Sequence, residues 1–120
     1  MQYKKKTIEN LYKISSPERY TGNEWNAVDT EWSPEKLKVA LAFPDVYDIG
    51  MSHLGLKILY HLVNNEDDML AERVYAPWGD MEELMKKEEI PLYTLESYHE
   101  IKDFDILGFT LQYEMSYTNI

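Results

Sequence analysis

One segment of the sequence constrains the fold more than any other, because its apolar run is almost unbroken. The run Leu37–Phe43 contains a single charged side chain, Lys38, and ends at Pro44. A continuous apolar run of this kind indicates a parallel strand that is buried on both faces of a sheet. From Gly50 to Asn64 the apolar residues recur at helical spacing instead, so the strand is predicted to lead into a helix.

The same alternation continues along the chain. Arg73–Ala76 is a second strand-like run, and an acidic helix is predicted after it, with Asp80 as its N-cap and Glu89 near its end. Ile106–Leu111 is a third run, which we expect to be buried like the first. Strands that alternate with helices in this way indicate an α/β protein with a doubly wound parallel sheet.

The first third of the chain has a different character. Residues 1–36 are predicted to form an N-terminal helix and an irregular arm, and residues 37–120 the α/β domain. Thr7–Ile14 has a helical apolar pattern, and the polar stretch Arg19–Trp32 has none. Four apolar residues could hold the arm on the core: Tyr20, Trp25, Val28 and Trp32.

The charge balance narrows the possible partners. Among 120 residues, 22 are acidic and 12 are basic, which gives a net charge of −10, and residues 66–105 carry nearly all of the excess. Binding to nucleic acid needs clustered cations, so we expect no nucleic-acid partner. The acidic region is predicted to form a solvated helix face and loops.

Cysteine and long apolar runs are both absent from the sequence. A chain without cysteine has no disulfide, no thiolate zinc site and no ligands for an iron–sulfur cluster. The longest apolar run, near Val39–Pro44, is too short to span a bilayer, and the basic start of the chain is not followed by the apolar stretch of a secretory signal. We therefore expect a cytoplasmic protein with no membrane partner.

Ligands of doubly wound sheets bind beyond the carboxyl ends of the strands, which points to the loops Pro44–Gly50 and Thr110–Glu114. The first loop lacks the glycine pattern of a phosphate-binding loop. Its residues also have simpler structural interpretations. Gly50 would be a turn residue with positive φ, Ser52 a helix N-cap, and Gly55 a site of close packing between helix and strand.

An independent enzyme is a further alternative, in which Asp45, Asp48 and His53 act as general acid and base. Nothing in their spacing makes these three side chains converge. We therefore give this alternative the lowest weight.

The first loop resembles a known cofactor loop. The pattern Asp45-x-Tyr47-x-x-Gly50 is similar to the D-x-H-x-x-G loop of cobalamin-binding domains, whose histidine can be the lower ligand of cobalt. The longer stretch Phe43–Tyr60 resembles the N-terminal region of radical SAM proteins that carry a cobalamin-binding-like domain. The resemblance covers residues 19–120 and includes four further stretches: Arg19–Glu24, Ala71–Trp78, Pro91–Ser97 and Phe104–Glu114.

This resemblance implies a three-layer, flavodoxin-like (Rossmann-like) parallel sheet that is truncated after the third strand. It also implies that a corrinoid would be held by six residues: Asp45, Tyr47, Gly50, Ser52, His53 and Thr110. Two positions depart from the family pattern, because Tyr47 stands where the ligating histidine is expected and Gln112 where a leucine is expected. A neutral phenol is a poor cobalt ligand compared with an imidazole.

Two functions remain open from the resemblance. In the first, the chain is a non-catalytic accessory domain of a radical SAM protein. It would hold a corrinoid, or it would cover the active-site mouth of the domain that carries the [4Fe–4S] cluster and S-adenosylmethionine. Alternatively, it would be a degenerate module that serves only in contacts between domains or proteins. Without later strands, Ile106–Leu111 would form an open apolar edge, and we expect dimerisation through it.

Overall fold

The computed structural model describes residues 2–22, 27–28, 31–112 and 114–120. Its centre is a parallel sheet of three strands in the order β2-β1-β3, where β1 is Leu37–Phe43, β2 is Met69–Tyr75 and β3 is Ile106–Phe109. Helices flank this sheet, so the predicted α/β fold is confirmed. The division into an arm (1–36) and a domain (37–120) stays a prediction.

The helices are α1 (Gln2–Asn10), α2 (Tyr47–Gly50), α3 (Leu54–Asn64) and α4 (Gly79–Glu88). Short 3₁₀ segments complete the regular structure: Leu11–Lys13, Pro17–Tyr20, Ile101–Asp103 and Glu114–Asn119. No helix within the described ranges is both long enough and apolar enough to cross a bilayer.

The central strand β1 is buried on both faces, as its sequence predicts. It pairs with β2 from Leu37 opposite Met69 to Phe43 opposite Tyr75. On its other side it pairs with β3 over a shorter stretch. All residues of β1 after Leu37 are buried, because both neighbouring strands and elements on both faces exclude water from it.

The start of α4 differs from the prediction. Trp78, and not Asp80, is the N-cap, so the predicted cap is wrong by two residues. The Asp80 carboxylate instead accepts hydrogen bonds from the backbone N–H and the hydroxyl of Ser15, both at 3.0 Å. The bond from the Ser15 N–H lowers the pKa of Asp80. The helix ends at Glu88, and the next residue, Glu89, has a left-handed φ of 55°, as is common directly after a helix.

The N-terminal segment packs on α4 and on the chain that follows it. Tyr20 is buried in a cluster of eight residues: Leu11, Tyr20, Met81, Leu84, Met85, Ile90, Tyr93 and Tyr98. Tyr93 donates a hydrogen bond from its hydroxyl to the carbonyl of Tyr20 at 3.0 Å. Val28 packs against the cluster under α3, and Trp32 stacks on His99 at 3.6 Å between ring centroids. Three predicted anchors of the arm are confirmed, and Trp25 lies outside the described residues.

The outer edge of β2 is closed by side chains and by a neighbouring loop. Asn64, at the end of α3, clamps Ala71: its Nδ2 donates to the Ala71 carbonyl and its Oδ1 accepts from the Ala71 N–H, both at 3.0 Å. The Arg73 N–H donates to Glu96 Oε2, and the Leu95 N–H donates to the Arg73 carbonyl, both at 2.9 Å. These backbone groups are therefore satisfied without a further strand.

The opposite edge of the sheet, at β3, is open. The sequence predicts a buried strand over Ile106–Leu111, and this prediction is wrong in two respects. The strand ends at Phe109, and its apolar side chains are exposed; Ile106, for example, is 47% exposed. The physical reason is that β3 is an outer strand of the sheet. Among the described strands it pairs only with β1. The exposed apolar edge that the sequence also predicts is present.

Removal of the Asn64 amide tests the clamp on β2. Asn64→Ala leaves the Ala71 N–H and carbonyl without their partner, so we expect the free energy of unfolding to fall by about 1–3 kcal/mol. The measurement is urea denaturation, with Asn65→Ala as the matched control. The exposed Asn65 side chain should contribute less than about 0.5 kcal/mol. Equal effects of the two substitutions would contradict the clamp.

Candidate functional site

The loop after β1 is held by its own backbone. Asp45 Oδ1 accepts a hydrogen bond from the Val46 N–H at 2.7 Å. The Asp45 carbonyl accepts from the N–H of Ala76 at 2.9 Å, which ties this loop to the chain after β2. The Asp45 carboxylate bonds to the protein itself.

Aromatic packing fills the space beneath the loop. The ring of Tyr47 meets the ring of Tyr75 edge-on, with 5.3 Å between the centroids. Gly50 lies inside α2 and not in a turn with positive φ, so that prediction is wrong. A Cβ at Gly50 would approach Tyr75 Cε1 to 2.5 Å and Phe43 Cδ1 to 2.8 Å. The glycine thus permits close approach of α2 to two aromatic rings of the sheet.

The next residues start α3. His53, and not Ser52, is its N-cap: His53 Nδ1 accepts a hydrogen bond from the Leu56 N–H at 3.1 Å. The interpretation of Ser52 as a cap is therefore wrong, and Ser52 is exposed. The His53 ring also lies 5.4 Å from the Phe43 ring. Gly55 packs against the imidazole of His53 and not against a strand, because its added Cβ would meet His53 Cε1 at 3.0 Å.

Thr110 follows β3 at the carboxyl end of the strands, which is also the end at which the first loop lies. Its N–H donates to the carbonyl of Ala42 at 3.1 Å, and its hydroxyl accepts from Gln112 Nε2 at 3.3 Å. Asn119 Nδ2 donates to the carbonyl of Pro44 at 2.8 Å, so the last 3₁₀ segment also reaches the carboxyl end of the strands. Parallel strands bring the two predicted loops to one side of the sheet, as expected.

The proposed acid–base trio does not form a catalytic arrangement. Asp48 points to the N-terminal segment, where Arg19 Nη2 lies 2.8 Å and Arg19 Nε 3.0 Å from its Oδ2. Asp45 and His53 instead accept hydrogen bonds from nearby backbone N–H groups. Each of the three groups therefore has a separate structural partner.

The residues at this loop do not fit a corrinoid. The Tyr47 ring packs on Tyr75 of the sheet, and Gly50 lies against Phe43 and Tyr75. His53 Nδ1 already accepts the hydrogen bond that caps α3. A cavity of about 470 Å³ does lie beside the end of β2, but none of the six predicted residues lines it. Its walls come from other elements: Ala76, Pro77, Glu82, Met85, Lys86, Ile90, Leu92, Thr118 and Asn119.

The sequence interpretation missed a buried polar cluster on β2. Glu72 is only 1% exposed, although the acidic region is predicted to be solvated. Its Oε1 accepts hydrogen bonds from the hydroxyl of Thr94 at 2.5 Å and from the N–H and hydroxyl of Ser97. Ser97 Oγ lies 2.6 Å from His99 Nδ1. The three bonds to Glu72 link β2 to the loop 94–99.

A second buried carboxylate completes this cluster. Glu96 Oε1 lies 2.6 Å from Arg73 Nε and accepts a hydrogen bond from the hydroxyl of Tyr60 at 2.9 Å. Burial raises the pKa of Glu96, against the opposing effect of Arg73. The sequence signal was the pair Glu72-Arg73 inside a strand-like run, since charged residues in a buried strand require partners. The cluster fixes the loop on β2.

Substitutions at two glycines test whether side chains fill the space beneath the loop after β1. Gly50→Ala should lower the free energy of unfolding by about 1–3 kcal/mol, because the methyl group would overlap Tyr75 and Phe43. Gly79→Ala meets nothing within 4 Å and should be neutral or stabilising by up to about 1 kcal/mol. Urea denaturation of both variants gives the comparison. A Gly50→Ala protein as stable as the wild type would show open space beneath the loop.

Comparison with known proteins identifies the family. The family model for the N-terminal region of radical SAM proteins matches residues 55–120, which is more than half of the chain. No curated protein and no solved structure matches. The matched region contains most of α3 together with β2, α4 and β3, and it begins after the loop that resembles a cobalamin site.

The family implies a [4Fe–4S] cluster and S-adenosylmethionine in the parent protein, together with a catalytic domain as partner. This chain has no cysteine. Within the described part of the chain, no group of three or more His, Cys, Asp or Glu residues could hold a metal ion. The sheet, the helices and the family match agree, and the chain belongs to the radical SAM proteins as an N-terminal domain of that family.

Proposed function

We propose that this chain is a non-catalytic packing domain, which docks on the catalytic domain of a radical SAM protein and holds no corrinoid. The observation that carries the proposal is the filled loop after β1. Tyr47 packs edge-on against Tyr75, and Gly50 lies against Tyr75 and Phe43, so protein side chains fill the space beneath the loop. The sequence leaves open the alternative of a module that serves only in contacts between domains or proteins. This alternative is therefore the better supported function.

The distribution of exposed apolar residues supports docking. Leu54, Ile58, Leu59 and Leu62 on α3 are each about half exposed or more, as are several residues of β3 and the chain after it. Large exposed apolar patches are typical of protein contacts, and these apolar residues are exposed on two separate elements. A domain that held a cofactor would be expected to concentrate such residues inside a pocket.

The buried polar cluster also fits a packing role. Glu72 and Glu96 anchor the loop 94–99 to β2, and this anchoring makes that side of the sheet rigid. A rigid scaffold with one closed and one open side presents its free surface in a fixed geometry. Binding to a preformed surface loses less conformational entropy than binding to a flexible one.

Corrinoid binding is the direct test of the filled loop. The full chain is mixed with hydroxocobalamin and desalted, and the visible spectrum of the protein fraction is recorded. We expect no corrinoid absorption, either from the wild type or from Tyr47→His, which restores the histidine of the resembling motif. The variant should stay colourless because residue 47 packs on Tyr75. Stoichiometric absorption of the wild-type fraction would overturn the proposal.

Docking is tested with the catalytic polypeptide of the radical SAM protein, expressed separately and reconstituted with its cluster. We expect a one-to-one complex with the full chain in analytical ultracentrifugation, because the exposed apolar residues of α3 and β3 lose water on contact. Since this contact is apolar, affinity should change by less than about threefold when salt is raised. Absence of a complex at micromolar concentrations would contradict the docking role.

A further inference from the structure

One contact of the N-terminal arm involves a titratable ring. The indole of Trp32 stacks on the imidazole of His99, with 3.6 Å between the ring centroids and 7° between the ring planes. Phe104 also meets this indole, edge-on, with 5.3 Å between the centroids. These two contacts join residues 31–36, which lead into β1, to the chain that precedes β3. We call residues 31–36 the Trp32 segment.

The hydrogen bonds around His99 define where its ring carries a proton. Three donors converge on Glu72 Oε1, namely the Thr94 hydroxyl and the N–H and hydroxyl of Ser97, so this oxygen is the acceptor. The single proton of the Ser97 hydroxyl therefore points to Glu72. Ser97 Oγ lies 2.6 Å from His99 Nδ1 and accepts the proton of that nitrogen. In the neutral ring Nε2 carries no proton, and a second proton binds there.

A positive charge already lies against the indole. Lys38 of β1 is only 8% exposed, and its Nζ is 5.2 Å from the centre of the Trp32 ring. The ammonium group donates a hydrogen bond to the carbonyl of Lys36 at 3.0 Å, which keeps it near the ring. A charged imidazole on the same indole would be repelled by this second cation, and the repulsion is stronger where water is excluded.

The other charges near the imidazole are carboxylates. Asp103, in the 3₁₀ segment that follows the loop 94–99, favours a charged ring. Glu72 of β2 reaches the ring only through a serine hydroxyl. Glu100, the residue after His99, is paired with a lysine at 2.6 Å. Only Asp103 therefore acts directly to stabilise a charge on the imidazole.

Burial decides the protonation state of the packed ring. Removal from water lowers the pKa of His99; Asp103 raises it, and the amino terminus and Lys38 lower it further. When Trp32 leaves, water reaches the ring and the pKa moves back toward its ordinary value near about 6.5. Packing of Trp32 is therefore most stable above about pH 6.5 and weakens as the pH falls through this value, because the packed ring binds the second proton less readily.

We infer that protonation of His99 releases the Trp32 segment from the rest of the domain. Above about pH 6.5 the neutral ring stacks on the indole. As the pH falls, a proton from the solvent binds Nε2, the stack opens, and the charged imidazole becomes hydrated. Phe104 then loses the indole that packs on it, so release also exposes apolar surface at the start of β3.

The preceding part of the arm is held by contacts that do not titrate in this range. Tyr93 and Tyr98 donate hydrogen bonds from their hydroxyls to the carbonyls of Tyr20 and Thr21, at 3.0 Å and 3.2 Å. Burial raises the pKa of both donors above the ordinary value near about 10, so both hydroxyls stay protonated. Release is therefore confined to the Trp32 segment.

Fluorescence of Trp32 tests the release directly. Trp25→Phe and Trp78→Phe, made together in the full chain, leave Trp32 as the single tryptophan. We expect acrylamide to quench this indole at least about twofold more strongly at about pH 5 than at about pH 7.5, with a change of at most about tenfold per pH unit. Far-UV circular dichroism of the same samples should stay unchanged.

Histidine variants assign the effect to one ring. In the single-tryptophan protein, His99→Phe keeps an aromatic partner for the indole but gains no charge, so quenching should be equal at both pH values. His61→Gln is the matched control, because His61 is exposed on α3, and it should keep the pH dependence. Nitrogen NMR of this control should show the proton of neutral His99 on Nδ1. Its titration midpoint should agree with the quenching midpoint within about half a pH unit.

Two charge substitutions should move this midpoint in opposite directions. Lys38→Met removes the cation beside the indole, so His99 gains its proton at a higher pH. Asp103→Asn removes the carboxylate that favours the charged ring, so the midpoint falls. We expect a displacement of at least about 0.3 pH unit for each variant. Loss of packing alone would not give opposite signs.

Four results would overturn the inference. Equal quenching of Trp32 at both pH values would show that the segment stays packed. Dependence on pH that persists in His99→Phe, or NMR and quenching midpoints that differ by more than about one pH unit, would assign the effect to another group. Loss of the circular dichroism signal in parallel with the fluorescence change would show unfolding of the whole domain.

Discussion

The requirement to bury β1 on both faces determines the rest of the structure. An apolar strand such as Leu37–Phe43 needs a neighbour on each side and a covering layer above and below. β2 and β3 supply the neighbours, α3 covers one face, and on the other face Thr94 and Ser97 bond to Glu72 of β2. These layers suffice for the centre of the sheet and for β2. They do not reach β3, and the exposure of Ile106 is the direct consequence.

The two sides of the sheet differ because polar residues close only one of them. The side chains of Asn64 and Glu96 form hydrogen bonds with backbone groups of β2 that would otherwise be free to pair with a further strand. Burial of Glu96 is unfavourable by itself, which explains its raised pKa, but Arg73 and Tyr60 offset much of this cost. Removal of one partner would leave a buried group unpaired, so these residues stabilise the fold only as a set.

The sequence predicts elements better than it predicts their ends or their exposure. The bounds of β1 were predicted correctly, because its apolar run has clear breaks on both sides. β2 was predicted to start at Arg73 but starts at Met69, since Glu72 interrupts the apolar pattern and its partners Thr94 and Ser97 are distant in sequence. The cap of α4 was misplaced for a related reason, because the Asp80 carboxylate bonds to Ser15, which is distant in sequence.

The candidate site shows why a motif does not by itself assign a ligand. Asp45, Tyr47 and Gly50 have the order of a cofactor loop, and each of them contacts other parts of the protein. In this structure the rings of Tyr75 and Phe43 lie against Gly50 beneath the loop. Tyr75 comes from another strand, and only the register that pairs it with Phe43 brings it beneath the loop. The glycine of this motif therefore indicates close approach of some planar group, and only the three-dimensional structure identifies that group as part of the protein.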